Sequence, residues 1–365
     1  MEIAGNTYTA EYLADISISK TVDGLGTSGI SSSQISGKVL TSYRFPEGSA
    51  VIVHYSGWEF PTYYISYPEY DGTAMSFTAY DRCKDLDIPF DNSAYPLYEE
   101  NSEETESEST ESESTESEST EKKRKKEAKY LASQIVQNIA AQTGFTQCNY
   151  VPQTMYITGS QLKDTTCRAI LQMITEADLG TAYCGNDDSL RFVSALSSGS
   201  GASVKSGEYS PIIEKSHKTY SKLIAEDTKN NKIYEYGNGD YSTCLMISGT
   251  LMNDTVASAI ASQLMAQNGL DYLAFSIDDV IISSNMEIFG QLFIQDNGTK
   301  YICRQIRINF TATGAVASVS SPPMSESKSE YINKLMRLSK SKLSLDTRYN
   351  TFFVNKTGAG HVLKI

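Results

Sequence analysis

The sequence holds three histidines, one tryptophan and nine prolines in 365 residues, and none of its six cysteines stands close to another. Cys167 and Cys184, the nearest two, are seventeen residues apart, which excludes a Cys-x-x-Cys metal site and argues against a dense disulfide scaffold. An even count leaves disulfides open. The apolar helical stripe around Cys167 and the strand pattern around Cys303 favour reduced core thiols. No run approaches the roughly 20 apolar residues of a spanning helix. No N-terminal segment joins a basic start to an apolar stretch and a cleavage site, so neither signal-driven export nor a membrane anchor is expected. Basic charge is scarce too. The net charge is -13, and the one basic cluster is Lys122, Lys123, Arg124, Lys125 and Lys126, so specific nucleic-acid binding has no electrostatic footprint.

What the chain does have is 24 tyrosines and 12 phenylalanines, a composition suited to pleated, half-buried surfaces. Residues 1–90 read as short strands at 8–15, 30–40, 49–55, 60–67 and 75–80, separated by glycine-containing turns. Alternation is clearest at Ile16 and Ile18 and at Val51, Val53 and Tyr55. Strands at this spacing suggest a small barrel or sandwich. From Asn101 the chain turns into repeated Glu, Ser and Thr and then the basic cluster. With no apolar side chains to offset the entropy of ordering, this stretch is expected to be a disordered linker.

Two helical stretches follow, at 128–142 and 165–177. Leu131, Ile135 and Ile139 form one stripe; Cys167, Ile170, Leu171 and Ile174 form the other. Asp164, Thr165 or Thr166 can cap the second helix. The run from Tyr183 to Phe192 reads as strand, Gly-Asn-Asp turn and strand, a β-hairpin. Beyond a Ser/Gly-rich link at 194–207, strands are expected at 216–228, 232–236, 287–295, 299–310 and 316–320. A helix is expected at 251–265, capped by Asn253 or Asp254, and a last one at 328–338. Asn297-Gly298 is the strongest short hairpin signal.

Candidate chemistry is thin. Cys167 with His217 is a conceivable dyad, but a thiol in an apolar helical stripe is usually inert. His54 and His361 stand alone. There is no His-Glu-x-x-His helix, Gly-x-Ser-x-Gly elbow or phosphate-cradling loop. Gly237-Asn238-Gly239-Asp240 lacks the further carboxylates of a calcium loop and reads as a turn. Asp187-Asp188 fits the hairpin turn, and Asp278-Asp279, in a strand, should point to opposite faces rather than converge on one substrate. Tyr55, Trp58, Phe60, Tyr63, Tyr64, Tyr67 and Tyr70 suggest either a sugar platform or, preferably, cross-strand aromatic packing. No catalytic, cofactor-binding or metal-binding residue is assigned, no cofactor is expected, and the chain is not expected to be an enzyme.

The order of these elements resembles the hub proteins of bacteriophage tails: the baseplate hub of contractile tails and the N-terminal hub region of tail-associated lysins. The similarity rests on the helix from Thr166 to Ala177 with the hairpin from Tyr183 to Phe192, and on the closing segments 290–295, Asn297-Gly298, 301–309 and 316–320. The Glu/Ser tract and the basic cluster fall outside the family pattern, and no lysin domain follows. The resemblance implies an α+β, mainly β fold. Its parts would be a first β-barrel at 1–95, a linker at 96–127, an inserted α/β module at 128–200, a second β-barrel at 201–322 and a C-terminal helix and tail at 323–365. It further implies a homotrimer whose two barrels per chain make a pseudo-sixfold ring, joining a sixfold tail tube to a threefold spike or fibre. The partners would be sister copies, tail-tube or distal tail proteins and a central spike or fibre protein, in the virion tail tip or baseplate after assembly in the bacterial cytoplasm. Peptidoglycan hydrolysis and carbohydrate adhesion are the alternatives.

Overall fold

The structure, a computed structural model, describes residues 1–22, 29–98, 126–149, 155–196, 199–238, 243–282, 285–311, 314–322, 350–354 and 360–364. The Glu/Ser tract and the helix expected at 328–338 lie outside the described residues.

The centre of the fold is one antiparallel sheet of eleven strands. It begins with Ile213–Tyr220 and runs through Leu270–Ile281, Gly314–Ser321 and Gln305–Thr311 to Leu13–Thr21. From there it continues through Gln34–Leu40, Ala74–Tyr80, Tyr63–Tyr70, Ala50–Ile52 and Glu2–Ile3, ending at Asn6–Thr7. The front and rear β regions are therefore zipped together, with Ile308 opposite Ile18 and Gln305 opposite Thr21. No closed barrel occurs among the described residues, so the two expected barrels are not confirmed; the mainly β, α+β class stands. The physical reason lies at this seam. The strand that would otherwise be an open edge in each half pairs with the other half, so neither has to curl on itself to satisfy its backbone.

Period-two burial is cleanest in Gly314–Ser321, where Ala315, Ala317, Val319 and Ser321 face inward. The three apolar ones join Ile18, Ile35, Tyr63 and Ile65 in one core that draws on both β regions. A small second sheet covers part of it: Gly199–Val204 pairs parallel with Gly290–Ile294, which pairs antiparallel with Lys300–Ile302. Gly201 allows the close approach, since a Cβ there would stand 1.6 Å from the Gln291 carbonyl oxygen.

The helices are α1 (Ala132–Gln142), α2 (Gly159–Leu162), α3 (Cys167–Asp178) and α4 (Asp254–Ala266). Thr166 caps α3 by accepting from the Ala169 amide, and Asn253 caps α4 by accepting from Val256. Both belong to the caps expected. α3 lies beside a three-stranded sheet ordered Leu190–Ser194, Gly180–Cys184, Ile30–Ser31, while α4 lies beside Lys232–Tyr236, Lys222–Asp227 and Cys244–Gly249. Ile135, Ile139, Ile170, Ile174, Leu223, Leu245, Ile260 and Leu264 share a single core. Helix α4 thus packs with the α/β module although it follows the rear β region's first strand.

Several details differ from the sequence reading. The stretch 216–228 is two strands in two sheets, broken at Ser221. The Ser/Gly link contains a strand, Cys244–Gly249 is a strand that periodicity did not reveal, and the strand expected around Asp278-Asp279 runs from Leu270 to Ile281. The hairpin at Asn297-Gly298 is present, closed by Ile294 N–H donating to the Thr299 carbonyl at 2.9 Å.

Candidate functional site

The hairpin between Gly180–Cys184 and Leu190–Ser194 forms as expected, with its turn at Gly185-Asn186-Asp187-Asp188-Ser189. The Gly185 amide donates to the Ser189 carbonyl at 2.8 Å, and Asp188 takes a left-handed φ of 59°. Its polar side chains do more than turn the chain. They reach both β regions at once. The Asp188 carboxylate accepts from the Thr62 amide and the Thr62 hydroxyl, each at 2.7 Å. Asn186 Oδ1 accepts from Lys20 Nζ at 2.8 Å, and the same ammonium donates to the Met286 carbonyl at 3.1 Å. Arg191 forks between Glu287, at 3.1 and 3.2 Å, and Asp187, at 3.0 Å. The Glu287 carboxylate also accepts from the Tyr183 hydroxyl at 3.3 Å and from the Asn186 amide at 3.4 Å.

Beneath this turn lie two buried charges. Lys20 is almost wholly buried, and desolvation pulls its pKa down to about 8 against the pull of Glu287 and Asp81. Asp81 is fully buried and accepts from the Ser33 amide at 2.6 Å, the Ser32 hydroxyl at 2.9 Å and the Cys83 amide at 3.0 Å. Burial still outweighs those hydrogen bonds and raises its pKa to about 6. A third buried charged group, Arg304, stacks on Tyr272 at 4.5 Å and Phe289 at 5.6 Å and donates to Ser321 at 3.1 Å. Its Nε and Nη2 have no hydrogen-bond partner.

The remaining candidates fall elsewhere. Cys167 is fully buried, burial pushes its thiol up to about 11, and its sulfur lies 3.7 Å from Gln142 Oε1. His217 is exposed on the outermost strand, 3.7 Å from Asp271. The two have separate partners. Asp278 and Asp279 do not alternate: the strand bulges between Ile277 and Val280, both acids are exposed, and Asp279 has a φ of 53°. They hold the neighbouring loop, Ser210 donating from its amide to the Asp278 carbonyl and from its hydroxyl to Asp279, both at 3.1 Å. Trp58 is half-buried in an aromatic cluster, with ring centroids 5.0 Å from Tyr55 and 6.1 Å from Phe60, and both of those rings meet Phe310 of the rear region. Cross-strand packing is what this aromatic run provides. Its exposed member is Tyr67.

No disulfide joins any of the six cysteines, all of which lie among the described residues. Among those residues no group of three or more His, Cys, Asp or Glu side chains is placed to hold a metal, and no helix is long and apolar enough to cross a membrane. Sequence reasoning placed the Asp187-Asp188 turn but missed what it touches. Lys20, Asp81 and Glu287 gave no local signal beyond a charged residue inside or beside an apolar stretch.

No protein-family model matches the chain, and no curated protein is similar to it. Solved structures are. The 43 kDa tail protein of prophage MuSo2 from Shewanella oneidensis matches with a TM-score of 0.52 at 13% identity, over 88% of this chain and 96% of that one. The tail protein from Neisseria meningitidis MC58 matches with a TM-score of 0.53 at 9% identity, over 87% of this chain and 94% of that one. Nearly from end to end, the chain has the fold of these two tail proteins.

Proposed function

We propose that the chain is a structural protein of a phage tail, or of a related injection machine, and that three copies form the hub at the tail tip or baseplate. The observation that supports this reading most is the span of the likeness in fold: 88% of this chain against 96% of a prophage tail protein. In this reading the front and rear β regions, residues 1–95 and 201–322, are the two tube-like halves of one subunit, and the α/β module is set between them. Three subunits then present six halves to a sixfold tube and three equal faces to a spike or fibre. The outermost strand, Ile213–Tyr220, stands at the end of the large sheet with Ile213 through His217 exposed. An open edge of that length is a liability in a lone subunit and an asset in a ring, where a sister copy or a tail partner pairs with it.

Light scattering of the purified full chain tests the proposal. We expect a concentration-dependent species at three times 40.2 kDa. A chain that stays at single mass at every concentration, and that joins no ring with tail partners, would overturn it. The reading also gives the chain no hydrolase role. A peptidoglycan zymogram is expected to show no clearing, and a cleared band lost on Cys167→Ala would contradict that.

A further inference from the structure

Backbone strain and an unmet polar atom meet in one short stretch, residues 285–290, on the rear side of the Asp187-Asp188 turn. Phe289 is fully buried yet sits at a φ of 60°, a left-handed conformation that an aromatic residue rarely adopts. Asn285 donates from Nδ2 to the Glu59 carbonyl at 2.7 Å, while its buried Oδ1 has no partner. Between them, the Met286 carbonyl takes Lys20, and the Glu287 carboxylate takes Arg191, Tyr183 and the Asn186 amide. A segment held in an unfavourable backbone shape by charged contacts at its middle can relax once those contacts part.

We propose that residues 285–290 are a latch with two positions: one clasped onto Arg191, Asn186 and Lys20, and one released, in which Phe289 leaves the left-handed conformation. The latch joins the rear β region to the α/β module through Arg191 and Asn186 and to the front β region through Lys20. The turn's hold on the front region, through Asp188 and Thr62, belongs to separate atoms and persists when the latch opens.

The released position exposes Lys20 to water, and this gives the clasp its pH dependence. Lys20 is faced by Glu287 from the latch, Asp81 from the front region, and Cys184 and Arg191 from the hairpin. Clasped, its pKa is about 8; released into water it returns towards 10.5. The open state therefore binds the proton more tightly, and raising the pH through 8 favours the clasped state.

Native-state hydrogen exchange on the full chain tests this. The amides of Asn186, Phe289 and Gly290, which donate to Glu287, Cys303 and Glu287 respectively, are expected to exchange together through an opening smaller than global unfolding. The Thr62 amide and those of the Gln305–Thr311 strand should stay protected. Glu287→Gln is expected to raise exchange at the three latch amides about tenfold without touching the protected set. In the native sequence, opening corrected for intrinsic exchange should fall roughly three- to fourfold between pH 7 and pH 8.5. Lys20→Met should abolish that trend. Exchange of the latch amides only with global unfolding, or equal acceleration everywhere in Glu287→Gln, would overturn the proposal. Should Glu287→Gln fail to fold, the pH series on the native sequence decides alone: a flat or rising profile sinks the latch.

Discussion

A Gly201→Val chain is expected to lose its stable folded form. The Cβ would sit 1.6 Å from the Gln291 carbonyl oxygen and 2.4 Å from its carbon. These are backbone atoms, so no rotamer change relieves the clash. The parallel pairing of Gly199–Val204 with Gly290–Ile294 has to open, although Val204, Leu292 and Ile294 beneath it are fully buried. Exposing three such side chains, each stabilised by about 1.5–3 kcal/mol on burial, together with the lost ladder hydrogen bonds, exceeds about 5 kcal/mol. Thermal melting by circular dichroism, with the soluble fraction on expression, reads the effect. Gly57→Ala is the contrast. Nothing lies within 4 Å of a Cβ there, and only its φ of 78° penalises the change, by about 1 kcal/mol. Equal melting of the two variants would show that the close approach at Gly201 is not what stabilises the small sheet.

The second large effect is expected at Asp81. Asp81→Ala strips acceptors from the Ser33 and Cys83 amides and from the Ser32 hydroxyl, leaving at least two buried donors unmet at about 1–3 kcal/mol each. It also removes a carboxylate that helps to keep Lys20 charged. We expect a loss of about 3–5 kcal/mol in urea unfolding at pH 7. Asp81→Asn behaves differently because it keeps one acceptor and carries no charge to desolvate. The folded pKa of Asp81 is raised, so its contribution to stability is fully present below the unfolded value of 3.8 and is lost as pH rises through about 6. A shift of about two units corresponds to roughly 3 kcal/mol across that window. The stability difference between the native chain and the Asp81→Asn variant should therefore favour the native chain more at pH 4.5 than at pH 7. A difference independent of pH would remove the buried-charge account.

How much of this was legible beforehand varies with how local the cause is. Helices α1, α3 and α4, the caps Thr166 and Asn253, and the Tyr183–Phe192 hairpin were readable, because their signals lie within a few residues of one another. Cys244–Gly249 was not, and of Leu270–Ile281 only the stretch at Asp278-Asp279 was. Residues 270–281 carry a bulge at Asp278-Asp279 that breaks the alternation a strand is recognised by, and Cys244–Gly249 is only six residues long, beside a helix signal. Ser221 splits what hydropathy presents as one strand, since the choice between two sheets is made by partners far away in sequence. Closure into barrels is illegible for the same reason. Composition reports that strands exist, while the pairing of Ile18 with Ile308 is a long-range fact. The site followed suit: the turn chemistry of Asp187 and Asp188 was visible, but the reach of Asn186 to Lys20 and of Arg191 to Glu287 depends on that same pairing.

The seam between Leu13–Thr21 and Gln305–Thr311 has a consequence for synthesis on the ribosome. Its two strands, Leu13–Thr21 and Gln305–Thr311, are far apart in the chain, so the first waits with one flank unpaired until the second has emerged. During that interval Ile16 and Ile18 belong to a growing polypeptide with a ready-made template for aggregation. Folding should accordingly be slow and late, and the nascent protein should depend on holding factors more than its small α/β module would by itself.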